Sequence, residues 1–238
     1  HHDLLSSALR SAVRQDVIPA SPMERVEPPR VRTTESYFYN NQELKLLYQK
    51  IEGNILELAV KLAGSLGMRR EEICGLKWEN VDLQRHLVLI REARTAYGAT
   101  IVQKETKNRA SVRTLYLPDE VYLLLEQEQA RQQQERCIQS PTYNPTDHVI
   151  LDAKGVPYSP NALSLAFTRF VKKNDLPRLT FHGLRHTFAT IASCQGASLF
   201  DIGKALGHST PATTGRIYTH LVDRTHEELV QRVSDALK

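Results

Sequence analysis

The sequence predicts a mainly α fold with a small antiparallel β-sheet, that is, an α+β protein. Two patterns support this prediction. Apolar residues recur at helical spacing along most of the 238 residues, whereas three segments between positions 86 and 118 carry alternating apolar or β-branched residues. Apolar residues also make up 41% of the chain, which is enough to form a buried core.

The N-terminal part of the chain differs from the rest. Leu5, Leu9 and nearby alanines at helical spacing predict one helix within residues 1–20, and four prolines between positions 19 and 29 interrupt any continuation. A single helix cannot bury its apolar stripe alone. We therefore expect it to be the end of a preceding domain, followed by a proline-rich linker over residues 21–35 and a main domain over residues 36–238.

The first half of the main domain combines helices with the expected sheet. Residues 41–53 and 54–67 predict two helices, the second apolar enough to lie deep in a core, and EEICGLKW predicts a short third one. The segments HLVLIREAR, ATIVQK and SVRTLYLP predict three strands of one sheet, because AYG and the polar ETKNRA separate them. Lys107 would lie in the second of these turns.

The second half of the main domain is predicted to be helical apart from a short hairpin in VILDAKGVPY. A long, glutamine-rich helix is expected over residues 119–137. Capping signals predict three further helices, which begin at Ser159, His182 and Ser198 and stop near Lys173, Gly196 and Gly207.

Charge and cysteine content narrow the cellular setting. Lys and Arg together number 31 against 27 Asp and Glu, and the resulting net charge of +4 permits a nucleic-acid partner without requiring one. Cys74, Cys137 and Cys194 are too far apart to indicate a disulfide framework or a zinc site. Because no apolar run approaches the roughly 18 residues of a membrane span, we expect a cytoplasmic protein.

One stretch of the sequence carries a chemical signature. His182, Arg185, His208 and Tyr218 follow one another in HGLRH, LGH and IYTH. Arginine presents a planar charged fork that suits a phosphate, and a tyrosine phenol can act as an oxygen nucleophile. His182 and Arg185 are three residues apart and so share one face of a helix. Each residue alone is a weak signal, but the combination predicts attack on a phosphodiester.

This chemistry needs a second arginine, because a pentavalent phosphate spreads charge over two non-bridging oxygens. The segment GMRREEICGLKW supplies it. Together with TKNRASVRTLYLP, FHGLRHTFAT, ALGHST and TGRIYTH, this segment makes the chain resemble the tyrosine recombinase family, in its phage integrase branch, over about residues 36–238. The resemblance implies the fold of DNA breaking-rejoining enzymes, with residues 36–238 as catalytic domain and residues 1–20 as the C-terminal helix of a core-binding domain.

The resemblance also assigns individual residues. The first catalytic arginine falls on Arg69, which follows a Gly-Met pair, with Arg70 as the weaker candidate. Glu72 would orient Arg69 rather than touch the substrate. The catalytic lysine falls on Lys107, although asparagine follows it where the family usually has threonine, and Lys104 is the alternative.

The implied mechanism is strand cleavage through a protein–DNA ester. Tyr218 attacks the scissile phosphate, forms a 3′-phosphotyrosyl bond and releases a 5′-hydroxyl, while Arg185 and the upstream arginine offset the oxyanion charge. His182 assists proton removal from the phenol, whose free pKa is about 10. His208 donates to a non-bridging oxygen, and Lys107 protonates the departing 5′ oxygen.

No metal ion, cofactor or ATP is expected in this mechanism. The guanidinium groups supply the positive charge that a metal would otherwise bring, and the phosphotyrosyl bond keeps the energy of the broken bond. His186, next to Arg185, is interpreted as a packing residue.

Double-stranded DNA with an attachment or crossover site is the expected partner. Basic residues suited to phosphate contacts are Arg91, Arg94, Lys104, Arg109, Arg113, Arg169, Lys172 and Lys173. Residues 225–238 carry a capping box and apolar residues four apart, which predicts a C-terminal helix that either docks on its own domain or links a homo-tetramer on DNA. An excision factor or a DNA-bending host protein is a further expected partner.

Three functions are compatible with these motifs. A site-specific DNA recombinase, the integrase of a phage or conjugative element, is favoured. A type IB topoisomerase-like enzyme would share the pocket but relax supercoiled DNA without joining two sites. A non-catalytic DNA-binding regulator is disfavoured, because a protein that needs only affinity has no use for a placed phenol.

Overall fold

The computed structural model describes residues 1–29, 37–98, 100–105, 112–139 and 143–208. The chain divides into two units, His1–Glu35 and Ser36–Lys238. The described part of the first unit holds helix α1 (His2–Arg14) and a short 3-10 helix (Pro22–Arg25). The predicted N-terminal helix is therefore present, and it leaves apolar side chains such as Leu4 and Leu5 exposed.

Helices dominate the second unit. Its described helices are α2 (Asn41–Ile51), α3 (Glu57–Leu66), α4 (Arg70–Gly75), α5 (Asp119–Gln139), α6 (Pro160–Lys173), α7 (Phe181–Cys194) and α8 (Leu199–Leu206). The mainly α prediction is confirmed. Within the described ranges, no helix combines the length and the apolar content needed to cross a membrane.

The strands form two small antiparallel sheets instead of the single sheet that the sequence predicts. Three strands lie in the order β1, β2, β5, and the other two, β3 and β4, form a separate hairpin. Their bounds are β1 (Val81–Asp82), β2 (Leu87–Ile90), β3 (Glu92–Tyr97), β4 (Thr100–Glu105) and β5 (Arg113–Tyr116). Within the first sheet, Leu87 pairs with Tyr116 and Ile90 with Arg113.

The segment HLVLIREAR is divided at Arg91 because its second half packs on α4. Gly75, at the end of α4, has no side chain, and a Cβ there would lie 2.9 Å from the backbone nitrogen of Arg94 in β3. Gln103 of β4 donates a hydrogen bond to the Gly75 carbonyl at 3.1 Å. This close approach holds the β3–β4 hairpin against α4, so β3 does not continue the first sheet.

Local capping sets the helix boundaries near the end of the described chain. The hydroxyls of Ser159 and Ser198 each accept a backbone hydrogen bond at 3.1 Å, as expected for N-caps. Helix α7 starts one residue before His182, because Thr180 is its N-cap. Gly207, with φ +64°, ends α8 in the left-handed conformation.

The core of the second unit is built around α3. This helix has buried residues on all sides, as its apolar sequence predicts, and it packs against α2, α5 and α7. Tyr39, Leu47 and Phe167 are among the largest fully buried side chains of this core. Packing of α7 on α3 brings the HGLRH segment next to the loop that precedes α4, where Arg69 lies.

Candidate active site

Three consecutive carbonyl oxygens at the end of α8 each accept a hydrogen bond from a different arginine. The carbonyls are those of residues 205–207, and the donors are Arg113, Arg185 and Arg69, at 2.7, 2.6 and 3.1 Å in that order. The last carbonyls of a helix lack intrahelical partners and carry partial negative charge, so they attract cations. In this way the end of α8 gathers three guanidinium groups that come from separate parts of the chain.

Glu72 is the anion that organises two of these arginines. It is 2% exposed, and it accepts hydrogen bonds from the backbone nitrogen and Nη1 of Arg69, both at 2.8 Å. It also accepts from Nη1 and Nη2 of Arg113, at 3.0 and 2.8 Å. Burial raises the pKa of Glu72, but the hydrogen bonds and charges of Arg113 and Arg69 lower that pKa more strongly, to about 2. The carboxylate is therefore ionised at neutral pH.

The structure separates the two arginines that compete for the first catalytic position. Arg69 reaches Glu72 and the end of α8, whereas Arg70 donates to Glu71 and, at 2.8 Å, to the hydroxyl of Ser164 on α6. Arg69 is consequently the member of the pair that lies beside the other site arginines.

Arg185 is held by two backbone carbonyls. Its side chain extends from α7, and the residue is 4% exposed. Nη1 donates to the carbonyl of Gly67 and Nη2 to that of Leu206, both at 2.6 Å. Because Gly67 lies two residues before Arg69, these bonds bring the two arginine motifs of the sequence together.

His182 and His186 are in direct contact. Their Nε2 atoms are 2.9 Å apart, so one ring donates a hydrogen bond and the other accepts it. Burial and the charge of Arg185 lower the pKa of His182; burial, His182 and Arg185 lower that of His186 to about 4. The interpretation of His186 as a packing residue was incomplete, because it is also a hydrogen-bonding partner of His182.

His208 follows the end of α8 and lies beside the arginines. Its backbone nitrogen donates to the Gly203 carbonyl at 2.9 Å. Burial and the charges of Arg185, Arg69 and Arg113 lower its pKa to about 4, so the imidazole is neutral at pH 7. It also lines a cleft of about 940 Å³.

Two predicted site residues lie outside the described residues. These are Lys107, which falls in the gap between β4 and β5, and Tyr218; the predicted C-terminal helix over residues 225–238 lies outside as well. Lys104, the alternative lysine, is described. It lies on β4, with Nζ 5.7 Å from the centre of the Tyr97 ring.

Arg113 was missed as a site residue. The expectation that it contacts the DNA backbone was wrong, because it is 9% exposed and points into the protein. The sequence signal for its burial is the alternation of side chains along β5. Arg113 shares the buried face with Leu115, whereas Thr114 and Tyr116 are exposed. Among the other basic residues, Arg109 lies outside the described residues.

Gly207 allows a test of how tightly the end of α8 is packed. A Cβ on Gly207 would lie 2.9 Å from Nη1 of Arg113, and a side chain in this left-handed conformation is also strained. Because backbone strain alone costs about 1–2 kcal/mol, we expect Gly207→Ala to lose more than that amount of folding free energy. Urea unfolding measures the loss. Gly53→Ala is the matched control, because Gly53 has φ +70° and nothing within 4 Å of a Cβ. Equal losses of folding free energy in the two variants would show that the Arg113 side chain moves away from the new Cβ at no cost.

Comparison with known proteins identifies relatives along most of the chain. The model of the phage integrase family matches residues 38–225. The tyrosine recombinase XerC-like protein of Caldanaerobacter subterraneus subsp. tengcongensis is 28% identical over 233 residues, 92% of this chain and 58% of that protein. The ICEBs1 integrase of Bacillus subtilis is 23% identical over 235 residues, 98% of this chain and 64% of the integrase. The chain therefore spans less than two thirds of the length of these relatives.

A solved structure shares the fold. The Tn1549 transposon integrase, in complex with transposon right end DNA, superposes with a TM-score of 0.76 at 20% sequence identity, covering 96% of this chain and 76% of the integrase chain. The mainly helical architecture with small antiparallel sheets is thus that of tyrosine recombinase catalytic domains. Because the family model covers most of the sequence, including the segments that carry Arg69, Arg185 and His208, this chain belongs to the phage integrase family of tyrosine recombinases.

Proposed function

We propose that this chain is the DNA-cleaving part of a site-specific recombinase, which cuts and rejoins double-stranded DNA through a 3′-phosphotyrosyl bond to Tyr218. One observation carries the proposal. Arg69 and Arg185 bind adjacent carbonyls at the end of α8, directly before His208. Two guanidinium groups at one point suit the two non-bridging oxygens of a phosphate under attack.

Arg69 has the exposure and the hydrogen-bonding capacity to meet a phosphate. Its side chain is 35% exposed. Nη1 donates to Glu72 and Nη2 to Gly207, which leaves further N–H groups of the guanidinium for an anion. Arg185 is more deeply buried, so its charge acts in a region where water screens it less.

The proton transfers follow from the states of the histidines. Burial and nearby arginines lower the pKa of His182, which leaves a neutral ring able to accept the phenol proton of Tyr218 as the O–P bond forms. Neutral His208 donates an N–H to a non-bridging oxygen. Lys107 gives its proton to the 5′ oxygen as the P–O5′ bond breaks. The reverse steps rejoin the strand.

The proposed partner is a DNA attachment or crossover site, as the complex of the Tn1549 integrase with transposon end DNA supports. We assign residues 36–238 as the catalytic domain, 21–35 as the linker and 1–20 as the end of a core-binding domain. Assembly as a homo-tetramer through residues 225–238, help from an excision factor or a DNA-bending host protein, and a cytoplasmic location remain predictions. Likeness to the ICEBs1 and Tn1549 integrases favours a mobile element as the source.

Covalent capture from a pool of random DNA sequences tests this function. A library of nicked duplexes with a randomised core would be incubated with the protein in EDTA and without ATP, and the DNA that stays attached after denaturation would be sequenced. We expect adducts on a restricted set of sequences, with the link mapped by mass spectrometry to Tyr218. Absence of adducts from the whole library would contradict the proposal.

Reaction on supercoiled DNA separates the remaining functions. Plasmids that carry two copies of a captured sequence should yield recombinant products. Relaxation without recombinants would indicate a type IB topoisomerase-like enzyme. Sequence-specific binding with neither adduct nor relaxation would indicate a regulator.

A further inference from the structure

Arg113 uses its guanidinium to join two helices. It extends from β5, and its side chain is 7% exposed. Nη1 and Nη2 donate to the two carboxylate oxygens of Glu72, while Nε donates to the carbonyl of Ala205 in α8 at 2.7 Å. The planar fork of arginine can make both contacts at once, whereas the point charge of lysine cannot.

Each end of this connection leads to a proposed catalytic group. Glu72, which Arg113 binds, also binds both the backbone nitrogen and Nη1 of Arg69. Ala205 lies three residues before His208. Arg113 therefore contacts the carboxylate that supports Arg69, and it also contacts a backbone carbonyl three residues before His208.

Direct contact of Arg113 with DNA does not fit its position. The side chain is almost wholly covered, and its hydrogen bonds to Glu72 and Ala205 are directed into the protein. The guanidinium also packs against the end of α8, since a Cβ on Gly207 would lie 2.9 Å from Nη1. A DNA phosphate would need N–H groups on the surface.

From this geometry we propose that Arg113 is a positioning residue for strand cleavage, which aligns Arg69 through Glu72 and the His208 segment through Ala205 without touching DNA. Its catalytic consequence rests on the function proposed above. Displacements of about 1 Å in a supporting shell are enough to slow a reaction up to about 100-fold.

Two variants and one matched control test the proposal. Arg113→Lys keeps the charge but cannot hold Glu72 and Ala205 together, and Arg113→Met removes the charge at similar length. Arg131→Lys is the control, because Arg131 also holds a glutamate with two hydrogen bonds, from Nε and Nη2 to Glu128 on α5. Circular dichroism and urea unfolding select the conditions under which all variants are folded.

Salt-dependent binding distinguishes positioning from phosphate contact. The probe is a random-sequence duplex in mobility-shift titrations over a range of salt concentrations. We expect Arg113→Met to bind with the slope of log affinity against log salt unchanged. A phosphate-contacting arginine would lower the magnitude of that slope by about 0.9, which would overturn the proposal.

The rate of adduct formation measures the catalytic effect. On a duplex obtained by covalent capture, at saturating protein, Arg113→Lys should form the adduct about 10- to 100-fold more slowly, whereas Arg131→Lys should match the wild type. If Arg113→Lys formed the adduct at the wild-type rate, the contacts of the Arg113 guanidinium would not matter for strand cleavage, and the proposal would be wrong.

Hydrogen exchange gives a readout that needs no DNA. The amide of His208 donates to the Gly203 carbonyl in the free protein. Loss of the Arg113 contact should speed exchange at this amide by about tenfold, and Arg131→Lys should leave it unchanged. If the wild type formed no adduct on any duplex, the proposed function would fail while this measurement still tested positioning. Unchanged exchange at the His208 amide in both Arg113 variants would refute the proposed positioning role of Arg113.

Discussion

Tyr218→Phe should form no covalent protein–DNA adduct, a loss of at least about 10³-fold in rate, because a phenyl ring has no oxygen to form the ester. Noncovalent DNA binding should persist, since the hydroxyl is not needed for the charge contacts that dominate affinity. Denaturing gels on captured duplexes measure the first quantity and mobility shifts the second.

Two hydrogen-bonded tyrosines in the described part of the chain are less suitable as nucleophiles. Tyr39 donates to the Pro177 carbonyl and Tyr48 is hydrogen-bonded to Ser65, and burial raises the pKa of both phenols to about 12. A phenol with a raised pKa loses its proton less readily, so it reacts more slowly at neutral pH.

Tyr116 provides the sharpest control for this assignment. It is 80% exposed and lines the same cleft as His208 and Arg113. We expect Tyr116→Phe to keep the adduct. If Tyr116→Phe lost the adduct and Tyr218→Phe retained it, Tyr116 would be the nucleophile and the motif-based assignment of Tyr218 would be wrong.

Much of the fold was predictable because its boundaries depend on local chemistry. The hydroxyls of Ser159 and Ser198 cap helices through backbone nitrogens only three residues away, and Gly207 ends α8 through its own backbone angle. Such signals lie within a few residues of sequence. The division at Arg91 was not predictable in this way, because it depends on Gly75 meeting a strand that is distant in the sequence.

The candidate site shows the same contrast. The sequence motifs predicted Arg185 and His208, and the family resemblance predicted Arg69, but neither could show that adjacent carbonyls of α8 hold the two arginines, because Arg69 and Gly207 are 138 positions apart. Arg113 was taken for a surface charge, since its burial is decided by the neighbouring Glu72 carboxylate and not by its own segment. Tertiary packing, which single-residue patterns do not record, decides these contacts.

Glu72→Gln should lose about 3 to 5 kcal/mol of folding free energy, because removal of one partner from a buried ion pair leaves the other charge uncompensated. Arg113 would be that charge, as its side chain is 7% exposed and both of its Nη atoms donate to Glu72. Glutamine keeps the shape, but its amide nitrogen would face a guanidinium donor. Urea unfolding at pH 7 measures the loss.

Glu43→Gln is the matched control for this prediction. Glu43 occupies the third position of α2, where its carboxylate accepts from the backbone nitrogen of Asn40 at 2.8 Å, as Glu72 accepts from that of Arg69. Glu43 is only partly buried, whereas Glu72 is buried, and glutamine also serves in a capping box, so we expect a loss below about 1 kcal/mol. Similar losses at the two positions would mean that Glu72 contributes only as a helix cap.

The pH dependence separates the carboxylate from the histidines. The arginines lower the pKa of Glu72 from 4.5 to about 2 despite burial, so its charge adds stability that is complete above pH 4.5 and is lost as pH falls from 4.5 to 2. Burial lowers the pKa of His186 and His208 from 6.5 to about 4, so protonation of these residues costs stability over that higher window, in wild type and variant alike. The difference in unfolding free energy between wild type and Glu72→Gln should therefore stay constant at neutral pH and shrink only below pH 4.5. A difference that already shrank as pH fell from 6.5 to 4.5 would show that the substitution acts through the histidines and not through the lost carboxylate.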